Sequence, residues 1–305
     1  MKISIITVCK NSEKYIEKAI KSVINQTYKD YEYIIVDGKS EDKTCQIVAK
    51  YSDHVAKFIS ETDSGLYEAM NKGIKLATGD FIYFLNSDDY FFDQEVLKDV
   101  VQTLLEDNSC DFLYGNVEQV SISGECFTSK SVKPEYLKTE MLISCAIPHQ
   151  GSFFKADLFE KLGCFDETYK IAADYEWFTR LLQNHSLKLR FTDRIIAFYY
   201  CGGFSGTNLK LAYREMFNAQ NKSGLFTIKD AETRIQKFQE FCIEQQALVR
   251  ELQILAEVRH QYASETKKQL DNCLVLANER LAYIELSFFG KLTSLMKKAI
   301  NALKN

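Results

Sequence analysis

Phe81-Ile82-Tyr83-Phe84-Leu85-Asn86-Ser87-Asp88-Asp89 is the stretch from which the rest of the chain is best read. Five uncharged residues, rich in aromatic and branched side chains, predict a buried strand. The run stops at two adjacent carboxylates. In open α/β sheets, ligands bind in the crevice beyond the carboxyl ends of the strands. Like charges side by side repel unless a cation holds them, and hard oxygen ligands suit Mg²⁺ or Mn²⁺. The plainer reading is a polar turn that happens to carry two acids, so the flanking pattern has to decide.

Working outward, residues 3–8, 31–36 and 55–59 also read as strands. Tyr15, Ile16, Ala19, Ile20, Val23 and Ile24 recur at helical spacing after the first. After the second, Ser40 is placed to cap a helix carrying Cys45, Ile47 and Val48. Leu66, Met70, Ile74 and Ala77 mark a third helix that Gly79 could terminate. This βαβαβαβ rhythm predicts an α/β fold, a mostly parallel sheet flanked by helices with right-handed crossovers.

Beyond Asp89 the rhythm loosens. A helix is expected at 95–106, a strand at 112–114 with a hairpin turning near Gly124, a helix at 175–183, and strands at 188–191 and 195–200. From about Leu209 the sequence is helical in character. The expected division is an α/β domain over 1–208, with halves at about 1–115 and 116–208, and an α-helical C-terminal extension over 209–305.

Composition narrows the function classes. The 305 residues carry a net charge of −4, which offers no footprint for nucleic acid. The nine cysteines are odd in number, scattered and never spaced C-x-x-C, so they read as reduced thiols of a cytoplasmic protein. Met1 leads straight into a strand-like run, and no apolar stretch is long enough to span a bilayer.

Asp37 follows the second strand as Asp88 and Asp89 follow the fourth. Strand ends of a parallel sheet share one edge, so these carboxylates should converge. Asp37 could simply close an Asx-turn, or it could accept hydrogen bonds from a nucleotide base or ribose. No P-loop and no G-x-G-x-x-G follows a strand, so phosphates would need a metal, the task open to Asp88 and Asp89.

Three motifs in this order resemble the family-2 glycosyltransferases of GT-A type. They are residues 4–11 (SIITVCKN), residues 34–44 (IIVDGKSEDKT) and residues 86–89 (NSDD), the last similar to the family's DxD metal motif. The resemblance covers roughly residues 2–205. It implies nucleotide-sugar contacts at Thr7, Val8, Asn11, Asp37, Asp63, Asn71, Lys72, Ser87 and Asp88, with Asp37 on the base, and Mn²⁺ or Mg²⁺ at Asp89 and Asp88. One departure is visible: many members read Asp-Asp-Gly-Ser where this chain reads Asp37-Gly38-Lys39-Ser40.

An inverting transfer also needs a carboxylate to take the acceptor proton, a contribution of ~10²–10⁴-fold. The resemblance places it at Asp174, where the family's usual Glu-Asp pair reads Ala173-Asp174, with Glu176 as fallback. On pattern alone an acid there is a helix cap. His149 and Gln150 resemble a segment preceding the base and would lie on the acceptor side; a lone histidine is otherwise more often structural. Gly202-Gly203-Phe204-Ser205 could close over a diphosphate or be a plain turn. Trp177 reads as core.

Residues 286–305 place Phe288, Phe289, Leu292, Leu295, Met296, Ala299, Ile300 and Leu303 on one helical face and Lys291, Lys297, Lys298 and Lys304 on the other. That suits an inner-membrane surface or, alternatively, docking on the protein itself. Near-heptad Leu248, Leu252, Leu255 and Tyr262 weakly suggest a homo-oligomer through the C-terminal helices. The expected function is metal-dependent, inverting transfer of a hexosyl or N-acetylhexosaminyl group from a UDP-sugar to a glycan or lipid-linked glycan in surface polysaccharide biosynthesis. It would proceed in the cytoplasm or peripherally on the membrane's cytoplasmic face. The rivals are a nucleotidyltransferase making sugar nucleotides, which should show a glycine-rich loop where residues 7–11 have none, and a non-catalytic sugar-nucleotide-binding scaffold.

Overall fold

The computed structural model describes residues 1–227 except 108, 122, 123 and 143, and beyond them only 230, 232, 233 and 236. Two compact units divide the chain, Met1–Ile228 and Lys229–Asn305. The near-heptad stretch and the basic amphipathic helix expected at 286–305 lie outside the described residues. Among the described residues, no helix is long and apolar enough to cross a membrane.

In chain order the elements are β1 (Ile3–Cys9), α1 (Ile16–Ile24), β2 (Tyr31–Asp37), α2 (Thr44–Ala49), β3 (Lys57–Ser60), α3 (Leu66–Leu76), β4 (Phe81–Phe84), β5 (Tyr90–Phe91) and α4 (Val96–Glu106). They continue as β6 (Phe112–Val120), β7 (Cys126–Ser129), α5 (Leu137–Glu140), β8 (Ser152–Lys155), α6 (Leu158–Lys161), α7 (Ala173–Gln183), β9 (Leu189–Tyr200), α8 (Phe204–Thr207) and α9 (Leu209–Ser223). One sheet runs β3-β2-β1-β4-β8-β6-β9-β5, with β7 paired to β6.

The expected α/β fold, a sheet flanked by helices, is present. Its ladder is parallel from β3 through β4, and the apolar runs of β1, β2 and β4 are covered on both faces, as a parallel sheet requires. Beyond β4 the sheet is mixed: β8 is antiparallel to both β4 and β6, whereas β6 and β9 are parallel. Strand β8 was not anticipated. The two strands expected at 188–191 and 195–200 are one strand, whose register slips opposite Asn116.

Two local expectations are corrected. Ser40 caps no helix; α2 starts after Lys43 without a side-chain cap, and Ser40 turns inward to Asp37. Helix α3 stops at Leu76, before Gly79. A Cβ on Gly79 would lie 2.8 Å from both the Lys2 carbonyl oxygen and the Ser4 amide, so glycine is there for close approach to β1.

The core lies on both sheet faces. Ile16, Ala19, Ile20 and Val23 of α1 bury one helical stripe against one face. On the other, Trp177 of α7 is fully buried among Phe112, Phe154, Phe159 and Phe178, the core role read from sequence. Helix α9 packs on α7 and belongs to the first compact unit, which extends past residue 208.

Candidate active site

The carboxyl ends of β1, β2 and β4 lie side by side, with Cys9 in register with Asp37 and Ile6 with Phe84. Asp37 is fully buried. Its carboxylate accepts from the Ser40 amide at 2.9 Å, the Ser60 hydroxyl at 2.6 Å, the Cys45 thiol at 3.3 Å and the Cys9 thiol at 3.5 Å, and from the Ser40 hydroxyl. Burial alone would raise its pKa, but the bonds from Ser40, Ser60 and Cys45 outweigh it and hold the carboxyl below its ordinary value. Asp63 stands beside this loop: a Cβ on Gly38 would lie 2.6 Å from its Oδ2. Burial pushes Asp63 up, against the pull of Lys10 and Lys72.

Two of the other residues expected at the nucleotide-sugar, Asn11 and Ser87, tie this loop cluster together. Asn11, in the left-handed region at φ 51°, donates its amide to Ser40 Oγ at 2.7 Å, and its Oδ1 accepts from the Glu41 amide. Ser87 Oγ and Ser12 Oγ lie 2.8 Å apart. Thr7 is buried with its hydroxyl 3.0 Å from that of Tyr33, and Val8 packs in the core.

Asp88 and Asp89 sit at the end of β4. Asp89 is 1% exposed. Its Oδ1 accepts from the Tyr200 amide at 3.0 Å, while Oδ2 is buried with no hydrogen-bond partner. Burial first, and the Asp88 charge second, push the Asp89 carboxyl well above its ordinary value; burial also raises Asp88. The loop expected to approach a diphosphate is at hand: a Cβ on Gly203 would lie 2.8 Å from Asp88 Oδ2.

Among the described residues, no three or more His, Cys, Asp or Glu side chains cluster to hold a metal. A hard divalent cation bound by one or two carboxylates completes its shell with water and substrate phosphates. An orphaned buried carboxylate oxygen beside a second acid fits such an ion, held jointly with a diphosphate.

Asp174 lies in the first turn of α7, inside the helix, and Ala172 holds the cap position. Its Oδ1 accepts from the Tyr175 amide at 2.8 Å and the Tyr67 hydroxyl at 3.1 Å; its Oδ2 is 3.1 Å from His149 Nδ1. His149 Nε2 is 3.1 Å from Asn86 Nδ2, so an unbroken chain joins the Asp88-Asp89 loop to Asp174. Gln150 is buried beside His149, its carbonyl accepting from the Tyr83 hydroxyl, and its side chain lowers the Asp89 pKa.

The remaining candidates serve local structure. Asn71 is buried and staples α3 to the Phe165 backbone and to Glu167. Lys72 is held by Glu61 and Glu68, each at 3.0 Å. Glu176 pairs with Arg180 at 2.7 Å, and Arg180 in turn caps the carbonyls of Leu162 and Cys164.

Sequence reasoning assigned no role to three side chains now found around Asp174. Asn86 stood within the opening motif and Tyr67 within the loop–helix segment, but nothing in the pattern said which way they face. Glu215, buried on α9, accepts from the amides of Lys170, Ile171 and Ala172, the segment leading into α7.

Residues 4–163 match the family model described as glycosyl transferase family 2. A PGL/p-HBAD biosynthesis glycosyltransferase of Mycobacterium bovis is 30% identical over 208 residues, which cover 67% of this chain and 79% of that one. Among solved structures, the chain resembles Staphylococcus aureus TarS 1-349 in complex with UDP-GlcNAc, with a TM-score of 0.59 and 21% identity over 77% of this chain and 71% of that one. It also resembles the mannosyltransferase PcManGT of Pyrobaculum calidifontis in complex with GDP-Man and Mn²⁺, with a TM-score of 0.53 and 14% identity over 99% and 86% of the two chains. At these identities the two structures show a shared fold.

Proposed function

The chain belongs to glycosyl transferase family 2, and on that premise we propose that it performs an inverting, metal-dependent transfer of a hexosyl or N-acetylhexosaminyl group. The donor is a nucleotide-sugar, taken as a UDP-sugar, and the acceptor a hydroxyl of a glycan or lipid-linked glycan in surface polysaccharide assembly. The observation that carries this reading is the Asp88–Asp89 pair, with Asp89 buried and its Oδ2 bare among the described residues, in a loop that Asn86 and His149 link by hydrogen bonds to Asp174 on another element.

In the proposed reaction the acceptor oxygen forms a bond to the anomeric carbon as the bond from that carbon to the diphosphate oxygen breaks. Asp174 takes the acceptor hydroxyl's proton on Oδ2, which has one lone-pair direction left beside the His149 contact. The nucleoside diphosphate departs on the opposite face. Mg²⁺ or Mn²⁺ at Asp89 and Asp88 would supply neutralisation of that leaving group. Asp37 and Asp63 are assigned to the nucleoside end. The biosynthetic name of the Mycobacterium relative supports the lipid-linked acceptor, and the UDP-GlcNAc held by TarS supports the UDP donor. Peripheral attachment to the membrane through residues 286–305 completes the reading.

Thermal stabilisation by UDP, GDP and CDP, with and without Mn²⁺, tests the donor site. Ligand at 100 times its Kd adds about 2.7 kcal/mol. We expect an Mn²⁺-dependent shift with one nucleotide, abolished in Asp89→Ala. Asp174→Asn should keep that shift and lose turnover by ~10²-fold or more. Intact function in Asp174→Asn would favour a sugar-nucleotide-binding scaffold instead, and no shift with any nucleotide would overturn the donor assignment.

A further inference from the structure

Both ring nitrogens of His149 are engaged, and they face different elements. Nδ1 lies 3.1 Å from Asp174 Oδ2 in α7, and Nε2 lies 3.1 Å from Asn86 Nδ2 in the loop after β4. An amide nitrogen can only donate, so Nε2 accepts and the ring proton sits on Nδ1, aimed at Asp174. The same amide lowers the pKa of Asp89, as a donor does. No ring nitrogen is left over for an acceptor hydroxyl.

The turn that carries His149 is itself fixed. A Cβ on Gly151 would lie 2.8 Å from the Gly115 carbonyl oxygen, so only glycine lets this turn press against β6. The His149 and Asp174 side chains are each 14% exposed. Mostly covered side chains at the junction of three elements have little rotamer freedom, and this gives a hydrogen bond directional force.

The geometry points to His149 as a positioning residue for the transfer reaction: its Nδ1–H holds Asp174 in the orientation from which Oδ2 receives the acceptor proton. Asn86 fixes the tautomer that allows this. The assignment rests on the reading of Asp174 as the base. On Oδ1, Asp174 accepts from the Tyr175 amide and shares the single Tyr67 hydroxyl hydrogen with the Ile171 carbonyl. Burial first, and the Asp174 charge second, push the Tyr67 hydroxyl well above its ordinary value, so it stays a donor. The Cys145 thiol also lies within reach of the Asp174 charge. Among the described residues, His149 is therefore the one donor that orients the oxygen doing the chemistry.

Three substitutions separate this role from simple packing. An asparagine amide nitrogen falls near the imidazole Nδ1 position, and a glutamine amide nitrogen near Nε2. Activity is read as nucleoside diphosphate release from UDP-GlcNAc, UDP-glucose and GDP-mannose with Mn²⁺. His149→Ala and His149→Gln should lower kcat by about 10–100-fold, the scale of a misplaced catalytic group. Nucleotide-induced stabilisation should stay within about twofold of wild type, and His149→Asn should recover most of kcat.

Asparagine no better than glutamine would overturn the positioning role. Asp174→Asn is measured alongside. If it retains turnover, the base assignment fails. If it is inactive while all three His149 variants match wild type, only the role of His149 fails.

Discussion

Asp89 keeps an acid where burial and the neighbouring Asp88 charge both oppose ionisation, and only the Tyr200 amide contacts it as a backbone donor. A carboxyl whose folded pKa lies above its unfolded value binds more protons when folded. Stability then falls as pH rises from the unfolded carboxyl range, near 4, toward the folded pKa. At pH 7 and without ligand, Asp89→Asn should therefore be more stable than wild type, by on the order of 1–2 kcal/mol, while abolishing turnover. The gain should fade as pH drops toward 4 and disappear near pH 3, below the unfolded value, where both states are protonated. Chemical denaturation at the two ends of this pH range checks it; a destabilised Asp89→Asn at pH 7 would show that the carboxylate is not strained. Acids of this kind were legible in the sequence, because residue type and position after a strand suffice to name them. Their partners were not. Asn86 meets His149 from 63 residues away and Tyr67 meets Asp174 from 107, and such pairings are set only when α3, α7 and the turn before β8 close on one another.

Among the elements, the legible ones were those that carry their burial in their own sequence. Strands β1, β2 and β4 are continuous apolar runs, and α1 shows its stripe directly. Strand β8 is hidden because Ser152 and Lys155 bracket only two phenylalanines, and its identity comes from β4 and β6 on either side. Glu32 shows how such neighbours are fastened. It sits buried on β2, salt-bridged to Lys2 at 3.1 Å and accepting from the Ser4 hydroxyl at 2.6 Å and the Thr78 hydroxyl at 2.9 Å. Burial alone would raise its pKa, but these bonds outweigh it and bring the carboxyl down to about 2. A depressed folded pKa contributes stability above the unfolded value, and that contribution drains away as pH falls through the folded one. Glu32→Gln should cost about 1–3 kcal/mol at pH 7, and the gap to wild type should narrow steadily from about pH 5 to about pH 2. Urea titrations of both proteins across that range decide it, and a gap independent of pH would refute the assignment to charge.

At the scale of the first compact unit, the halves expected over 1–115 and 116–208 are not separable bodies, since β8 pairs with β4 on one side and β6 on the other. Helix α9 closes this unit from the far end of the fold. It buries Met216 and Ala219, its Glu215 receives three successive amides ahead of Asp174, and Gln220 donates to the Met141 carbonyl and the Tyr175 hydroxyl. Helical periodicity foretold a helix here, but a buried glutamate and glutamine look like surface residues until the partner backbone is known. Removing α9 would leave three amides and a helix entry without partners. At roughly 1–3 kcal/mol for each buried unsatisfied group, that loss is comparable to the 5–15 kcal/mol by which a domain is stable. A chain ending at residue 208 should therefore lack a cooperative thermal transition, whereas one ending at residue 228 should melt cooperatively. Glu215→Ala in the full chain should fall between them, destabilised by several kcal/mol and reduced in turnover. Circular dichroism melts of the three proteins are the test. A cooperative, nucleotide-responsive chain ending at 208 would show that the segment before Asp174 is held in place without α9.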